Sequence, residues 1–504
     1  MQPTTITLHS EFQIARVDPR IFGGFLEHMG RAVYEGVYDP ASVHADKEGC
    51  RKDVLDILRQ MNMTAMRYPG GNFASGYHWQ DGVGPRSQRP TVRELAWQSV
   101  ERNHFGTDEY LHLCRKMGWT PMLTVNLGTG TPEEARNWVE YCNCPAGTRY
   151  ADQRISNGAQ PPHAVKLWCL GNEMDGHWQL GHVPADQYAI RAQQAAKMMK
   201  DTDKSIELVA CGTCVTSMPT YMEWDRQVLE YMGDLADYIS LHRYVGNNDN
   251  DTADYLAVTN AIDRQIEEMD AACRFVQAKR RSRKRAYLCF DEWNVWYKNQ
   301  QMNGEGQTAP HLIEEVYNLE DALVVAGFLQ SFIRHADSVK IANLAQIVNV
   351  IAPVLTCGDR ALVQSIFYPF AMISRRRDGV ALRVAMDGPS YEGRKNGPVP
   401  CVDASAILDN RKINVFLTNR NMTEEAEVRI VMADMGIVSL DNAEILTGPD
   451  AKAANSFEDG GEVIRSVAFG AISVANGQVR CRLPPLSFVA MTLNLETCRI
   501  STPN

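Results

Sequence analysis

Long apolar runs are missing from this chain. No stretch approaches the roughly 18 consecutive apolar residues of a membrane-spanning helix, so no membrane association is expected. A basic excess is missing as well: Lys and Arg number 51 against 61 Asp and Glu, a net charge of −10. A chain of that sign is repelled by phosphate backbones and is a poor partner for nucleic acid. Met1 to Ser10 shows no charged start followed by an apolar stretch, so no secretory signal is expected. The 13 cysteines are odd in number and scattered through apolar segments such as Leu167–Leu170 and Ala286–Phe290. That pattern predicts reduced thiols in a cytoplasm rather than a disulfide framework. Cys211-Gly212-Thr213-Cys214 and Cys142-Asn143-Cys144 lack a second Cys or His pair at finger spacing, and no His-x-His set occurs, so no metal is expected. No Gly-x-Gly-x-x-Gly turn follows the first strand, and Gly70-Gly71 lacks the Gly-Lys-Ser/Thr ending of a phosphate loop. No cofactor is therefore expected.

What is present reads as a large globular enzyme. With 44% hydrophobic and 22% charged residues, 504 residues suffice for two or three domains. Eight short apolar runs are candidate strands: Ile21–Phe25, Ala65–Tyr68, Met122–Asn126, Val165–Leu170, Glu207–Cys211, Tyr238–Leu241, Ala286–Phe290 and Ser338–Ala342. Between them lie helical stretches. Thr131-Pro132-Glu133-Glu134 reads as an N-cap, a first-turn proline and a capping-box glutamate. Pro184–Lys200 is rich in strong helix formers, and Asp263–Arg285 ends in a basic run from Lys279, read as a solvated helix end. Repeated strand–helix units predict a (β/α)₈ barrel over residues 20–377. Beyond it, runs such as Val380–Met386, Val402–Leu408, Lys412–Leu417, Ala426–Met432 and Phe488–Leu493 are separated by Gly, Asn and Asp. They predict a jelly-roll-like all-β sandwich over 378–504, with residues 1–19 adding strands to it.

Working residues of such a barrel lie at the carboxyl ends of its strands. Glu27-His28 follows the first candidate strand, and Arg67 to Asn72 closes the second. Gly171-Asn172-Glu173, His242-Arg243-Tyr244 and Asp291-Glu292-Trp293-Asn294 follow the fourth, sixth and seventh. Acids, amides, an arginine and aromatics converging on one face suit a polyol. Glu173 and Glu292, three strands apart in a ring of eight, are placed to face each other as acid/base and nucleophile of a glycosidase. Strict alternation would turn Asp291 to the other face of the strand, in a structural role. The acid needs a raised pKa while its partner stays ionised.

The blocks Trp168-Cys169-Leu170-Gly171-Asn172-Glu173-Met174-Asp175-Gly176 and Phe290-Asp291-Glu292-Trp293-Asn294-Val295-Trp296-Tyr297 resemble the catalytic segments of the family 51 α-L-arabinofuranosidases. So do Phe25 to Arg31, Met66 to Phe73, Leu241 to Tyr244 and Ala342 to Gln346, in the same order along nearly the whole chain. The resemblance implies a retaining exo-glycosidase acting on arabino- and arabinoxylo-oligosaccharides without a cofactor, cytoplasmic and homohexameric. It assigns Glu173 as acid/base and Glu292 as nucleophile. Glu27, Arg67, Asn72, Asn172, Tyr244 and Gln346 match positions that bind the furanose or orient the nucleophile, and His242 a supporting residue. Trp97 and Trp296 resemble aromatic walls. Two rivals are a β-D-xylosidase or endo-β-glucanase on the same scaffold, and a non-catalytic carbohydrate-binding protein.

Overall fold

A computed structural model describes residues 2–458 and 461–496. Eight parallel strands close into a barrel in sequence order: Gly23–Phe25, Ala65–Tyr68, Thr120–Val125, Leu167–Leu170, Glu207–Ala210, Tyr238–Val245, Tyr287–Val295 and Val339–Ala345. Inward and outward side chains alternate along the regular parts of the strands, as the pleat requires. Outward residues such as Leu123, Trp168, Phe290 and Trp293 join the main core against the surrounding helices. The inward set low in the barrel is apolar: Met122, Leu167, Cys169, Val209, Tyr238, Cys289 and Ile341. Arg20 seals the floor, donating to Glu207, Asp18 and the Tyr238 hydroxyl at 2.8 to 3.0 Å. The helix predicted after Thr131 runs from Pro132 to Asn143, its first turn capped by the Thr131 hydroxyl, which accepts from the Glu134 amide.

The second region is a β-sandwich of a five-stranded and a seven-stranded sheet around its own apolar core. Thr4–Leu8 lies in the smaller sheet, antiparallel to Ala385–Asp387 and parallel to Ala426–Met432. Gln13–Arg16 forms the edge of the larger sheet, beside Val380–Leu382. A loop of the sandwich reaches the barrel. Lys452 pairs at 2.5 Å with the fully buried Glu320, which begins the helix Leu319–Arg334 and also accepts from Asn247 and Thr252.

Three barrel strands run further than their apolar segments. The sixth, seventh and eighth end at Val245, Val295 and Ala345 rather than at Leu241, Phe290 and Ala342. Their upper halves carry polar residues because the barrel interior there holds ionised groups, so hydrophobicity alone stops short. Strand Ile437–Thr447 has no counterpart among the predicted strands for a related reason: only three of its eleven residues are buried, so no apolar run marks it. The basic run after Lys279 is matched by Glu230, Asp237 and Asp270, which fits a solvated helix end. The cysteines among the described residues are free thiols; Cys498 lies outside them.

Candidate active site

The site stands on the last residues of the barrel strands, above the apolar plug. Arg67 is the penultimate residue of the second strand, its guanidinium buried, 4.8 Å from the centre of the Phe25 ring. It donates to Glu292 Oε1 at 2.7 Å and to Asn172 Oδ1 at 2.7 Å, and its Nε lies 3.4 Å from Asp291. The Tyr244 hydroxyl donates to Glu292 Oε2 at 2.9 Å. Both oxygens of Glu292 thus accept from donors that favour the carboxylate. Arg67 stays cationic because Asp291 and Glu292 outweigh its burial, and burial together with Glu292 pushes the Tyr244 phenol far up, so it remains a donor.

Asp291 departs from the sequence expectation. The register between the sixth and seventh strands slips between Ser240 and His242, which pairs His242 with Glu292. A bulge of this kind adds one residue to a strand and resets its alternation. Asp291 and Glu292 consequently both face the interior, one above the other. Asp291 accepts from the Ser240 hydroxyl at 2.5 Å and lies 3.3 Å from His242 Nε2. It is a brace of the site and does not point to the outer face.

His242 lies among three carboxylates. Its Nδ1 is 2.9 Å from Glu173 Oε1 and 3.6 Å from Glu292 Oε2, with Asp291 on its other nitrogen. Burial alone would lower its pKa, but Glu292, Asp291 and Glu173 together raise it well above the usual imidazole value. The imidazolium in turn governs Glu173. Burial pushes that carboxyl up, yet the bonds from His242 and from the Trp178 indole, which donates to Oε2 at 2.7 Å, bring it below the ordinary glutamate value. Glu173 is therefore not the raised acid expected from sequence. The raised carboxyl is Glu27, pushed up to about 8 by burial and by the charge of Glu292. Its Oε1 accepts from the Phe73 amide and from the Trp97 indole, each at 3.0 Å.

The remaining predicted residues stand around this centre in different capacities. Asn172 Nδ2 lies 3.4 Å from Asn72 Oδ1, joining the two amides. Gln346 touches no carboxylate; its Oε1 accepts from the Glu27 amide at 3.0 Å and so sets that backbone. Trp296 stands edge-on to Tyr244, with ring centres 5.8 Å apart. Gly71 is required by proximity, since a Cβ there would sit 2.8 Å from Glu292 Oε1. Glu173, His242 and Glu292 bring one donor atom each within 4.8 Å of one another, a spacing that would admit a small cation. Arg67 and the imidazolium already neutralise that charge, so these donors serve one another. Sequence reasoning overlooked Ser240, the inward turn of Asp291 and the bond from Trp178. The bulge leaves no local signature, whereas Trp178, five residues after the acid and flanked by His177 and His182, marks in the sequence a loop that either packs or contacts the leaving group.

Comparison with known proteins agrees with this arrangement. The family described as the α-L-arabinofuranosidase 1 domain matches residues 57–264, and that described as the α-L-arabinofuranosidase C-terminal domain matches 291–487. An intracellular exo-α-(1→5)-L-arabinofuranosidase of Acetivibrio thermocellus is 44% identical over 90% of this chain and 93% of its own. Its counterpart from Bacillus subtilis is 42% identical over 99% and 100%. The solved family 51 α-L-arabinofuranosidase of Bifidobacterium longum superposes with a TM-score of 0.94 at 34% identity, covering 98% of this chain and all of that one. Barrel and sandwich are thus both covered by these matches, and the chain belongs to the family 51 α-L-arabinofuranosidases.

Proposed function

We propose that this protein removes terminal, non-reducing α-L-arabinofuranosyl residues from arabino- and arabinoxylo-oligosaccharides with retention of configuration. The observation that carries the reading is the pair of carboxylates facing each other across the mouth, with oxygens of Glu173 and Glu292 within 4.8 Å. A gap near 5 Å supports a double displacement, whereas inversion needs roughly 6.5–9.5 Å to admit water between carboxylate and sugar. Glu292, oriented by Arg67 and Tyr244 on its two oxygens, attacks the anomeric carbon as Glu173 protonates the leaving oxygen. Glycosylation removes the charge of Glu292, and Glu173 then serves as base toward water. Asn172, turned by Arg67, presents its amide beside Gly71 and Asn72, where a sugar hydroxyl bonds. Glu27, with Trp97 and Gln346 bonded to it, lies beside the same Gly70-Gly71 turn, and Trp296 packs on Tyr244.

Proton NMR in the first minutes of hydrolysis, before mutarotation, should show α-L-arabinofuranose. Initial release of the β anomer would mean inversion and a wrong role for at least one glutamate. Faster turnover of aryl β-D-xyloside than of aryl α-L-arabinofuranoside would favour the xylosidase rival, and no turnover of either the binding protein. The relatives named above as intracellular and the free thiols support a cytoplasmic location. The family resemblance supports a homohexamer, which light scattering measures.

A further inference from the structure

Glu173 has both oxygens occupied by N–H donors: Oε1 by His242 Nδ1 at 2.9 Å and Oε2 by the Trp178 indole at 2.7 Å. Indole nitrogen only donates, so this pairing favours a carboxylate and disfavours a proton on Oε2. A carboxyl about to protonate a glycosidic oxygen needs the opposite arrangement, an O–H on the oxygen that faces the leaving group. Oε1 is not that oxygen, because it is fixed by an imidazole wedged between Asp291 and Glu292. Oε2 is, and Trp178 occupies it.

The indole is built to leave. Its side is 43% exposed, although tryptophan is ordinarily well covered. Its aromatic contact is an edge of His177, with ring centres 4.9 Å apart. Beneath it is Gly176, where a Cβ would lie 2.6 Å from ring atom Cε2. The loop itself is anchored elsewhere, through Gln179 to the Ser75 hydroxyl and through His182 Nδ1 to the Met174 carbonyl at 3.0 Å. The ring therefore rests on a glycine and one hydrogen bond while its backbone is held.

We propose that Trp178 is a positioning residue for the proton donor: its indole N–H holds Glu173 as an anion until the incoming leaving-group sugar displaces it. Once the indole is displaced, Oε2 takes a proton from solvent water. That proton passes to the glycosidic oxygen as its bond to the anomeric carbon breaks, and Glu173 returns to the carboxylate that the second step needs as base. The inference rests on the acid/base reading of Glu173. The charged and titratable groups facing Glu173 are His242, Glu292, Arg67, Tyr244, Cys214 and, on its own loop, Asp175. None of these is altered by substituting the exposed ring.

The test compares Trp178→Phe and Trp178→Leu with the parent enzyme in pH profiles of kcat/KM. Both variants lose the N–H that favours the anion, so Glu173 keeps its proton to higher pH. On an arabino-oligosaccharide the alkaline limb should move up by about half a unit to one unit. On an activated aryl arabinofuranoside, whose departure needs no protonation, it should stay in place. An oligosaccharide limb that is unmoved or lowered in both variants overturns the proposal. Glu173→Gln, assayed alongside, separates the two readings. Parental kcat/KM for that variant on the oligosaccharide would remove the acid/base assignment itself. Its collapse, with unmoved Trp178 variants, would remove only the role of Trp178.

Discussion

The two ends of the barrel bury their inward side chains about equally and hold them by different forces. At the floor, Met122, Leu167, Val209, Cys289 and Ile341 fill the interior with apolar volume. At the mouth, Arg67 and the His242 imidazolium stand among Glu173, Asp291 and Glu292, each at most 12% exposed. Apolar packing is non-directional and tolerates any side chain of suitable size. A buried ionic network is directional, and removing one member leaves another charge unpaired. The lesson is a division of labour along the same strands: the lower half holds the barrel together, and the upper half stores charge for chemistry.

The largest expected break in that comparison is Glu292→Ala. Turnover should fall by about 10⁴-fold or more, while the protein stays folded with a lower thermal midpoint, because the buried Arg67 loses one of its two carboxylate partners. Near-parental rates on an activated aryl substrate would sink the nucleophile assignment. The converse experiment cuts the floor. Ile341→Ala should cost about 2–5 kcal/mol of stability and leave kcat/KM at 25 °C unchanged. Denaturant unfolding alongside activity reads both, and a loss of activity without a loss of stability would show that the two halves are not separable.

The smallest effect sharpens the comparison through pH. Glu27 titrates at about 8 in the folded protein against 4.5 unperturbed. Between those values the folded state keeps a proton that the unfolded chain has lost, so this group contributes a loss of stability as pH rises from 4.5 to 8. Glu27→Gln keeps the site neutral there. It should make the decline shallower by up to about 1.4 kcal/mol per pH unit. An unchanged slope between pH 5 and 8, on the approximate scale of that window, would mean that Glu27 is ionised beside Glu292.

How far the sequence could be read follows from the same division. The second strand, Ala65–Tyr68, was legible to the residue because its four positions are all buried. The upper parts of the sixth and seventh strands were not, since His242, Tyr244, Asp291 and Glu292 break the apolar pattern that marks a strand. Glu173 and Glu292 stood out through their flanking blocks. The ionisation of Glu173 did not, because it depends on His242 and Trp178, one distant in sequence and the other on the same loop.

By itself, the sequence determined the succession of eight strand–helix units, the β-rich tail and the identity of the residues at the strand ends. Those are local properties, carried by periodicity, capping and a few side chains in order. Only the tertiary structure decided that Asp291 turns inward, that His242 is raised by three carboxylates and that the carboxyl raised by burial is Glu27 rather than Glu173. Each of these depends on charges from different strands brought within a few ångströms in a space without water, where pairwise electrostatics overrides the preference of any single residue.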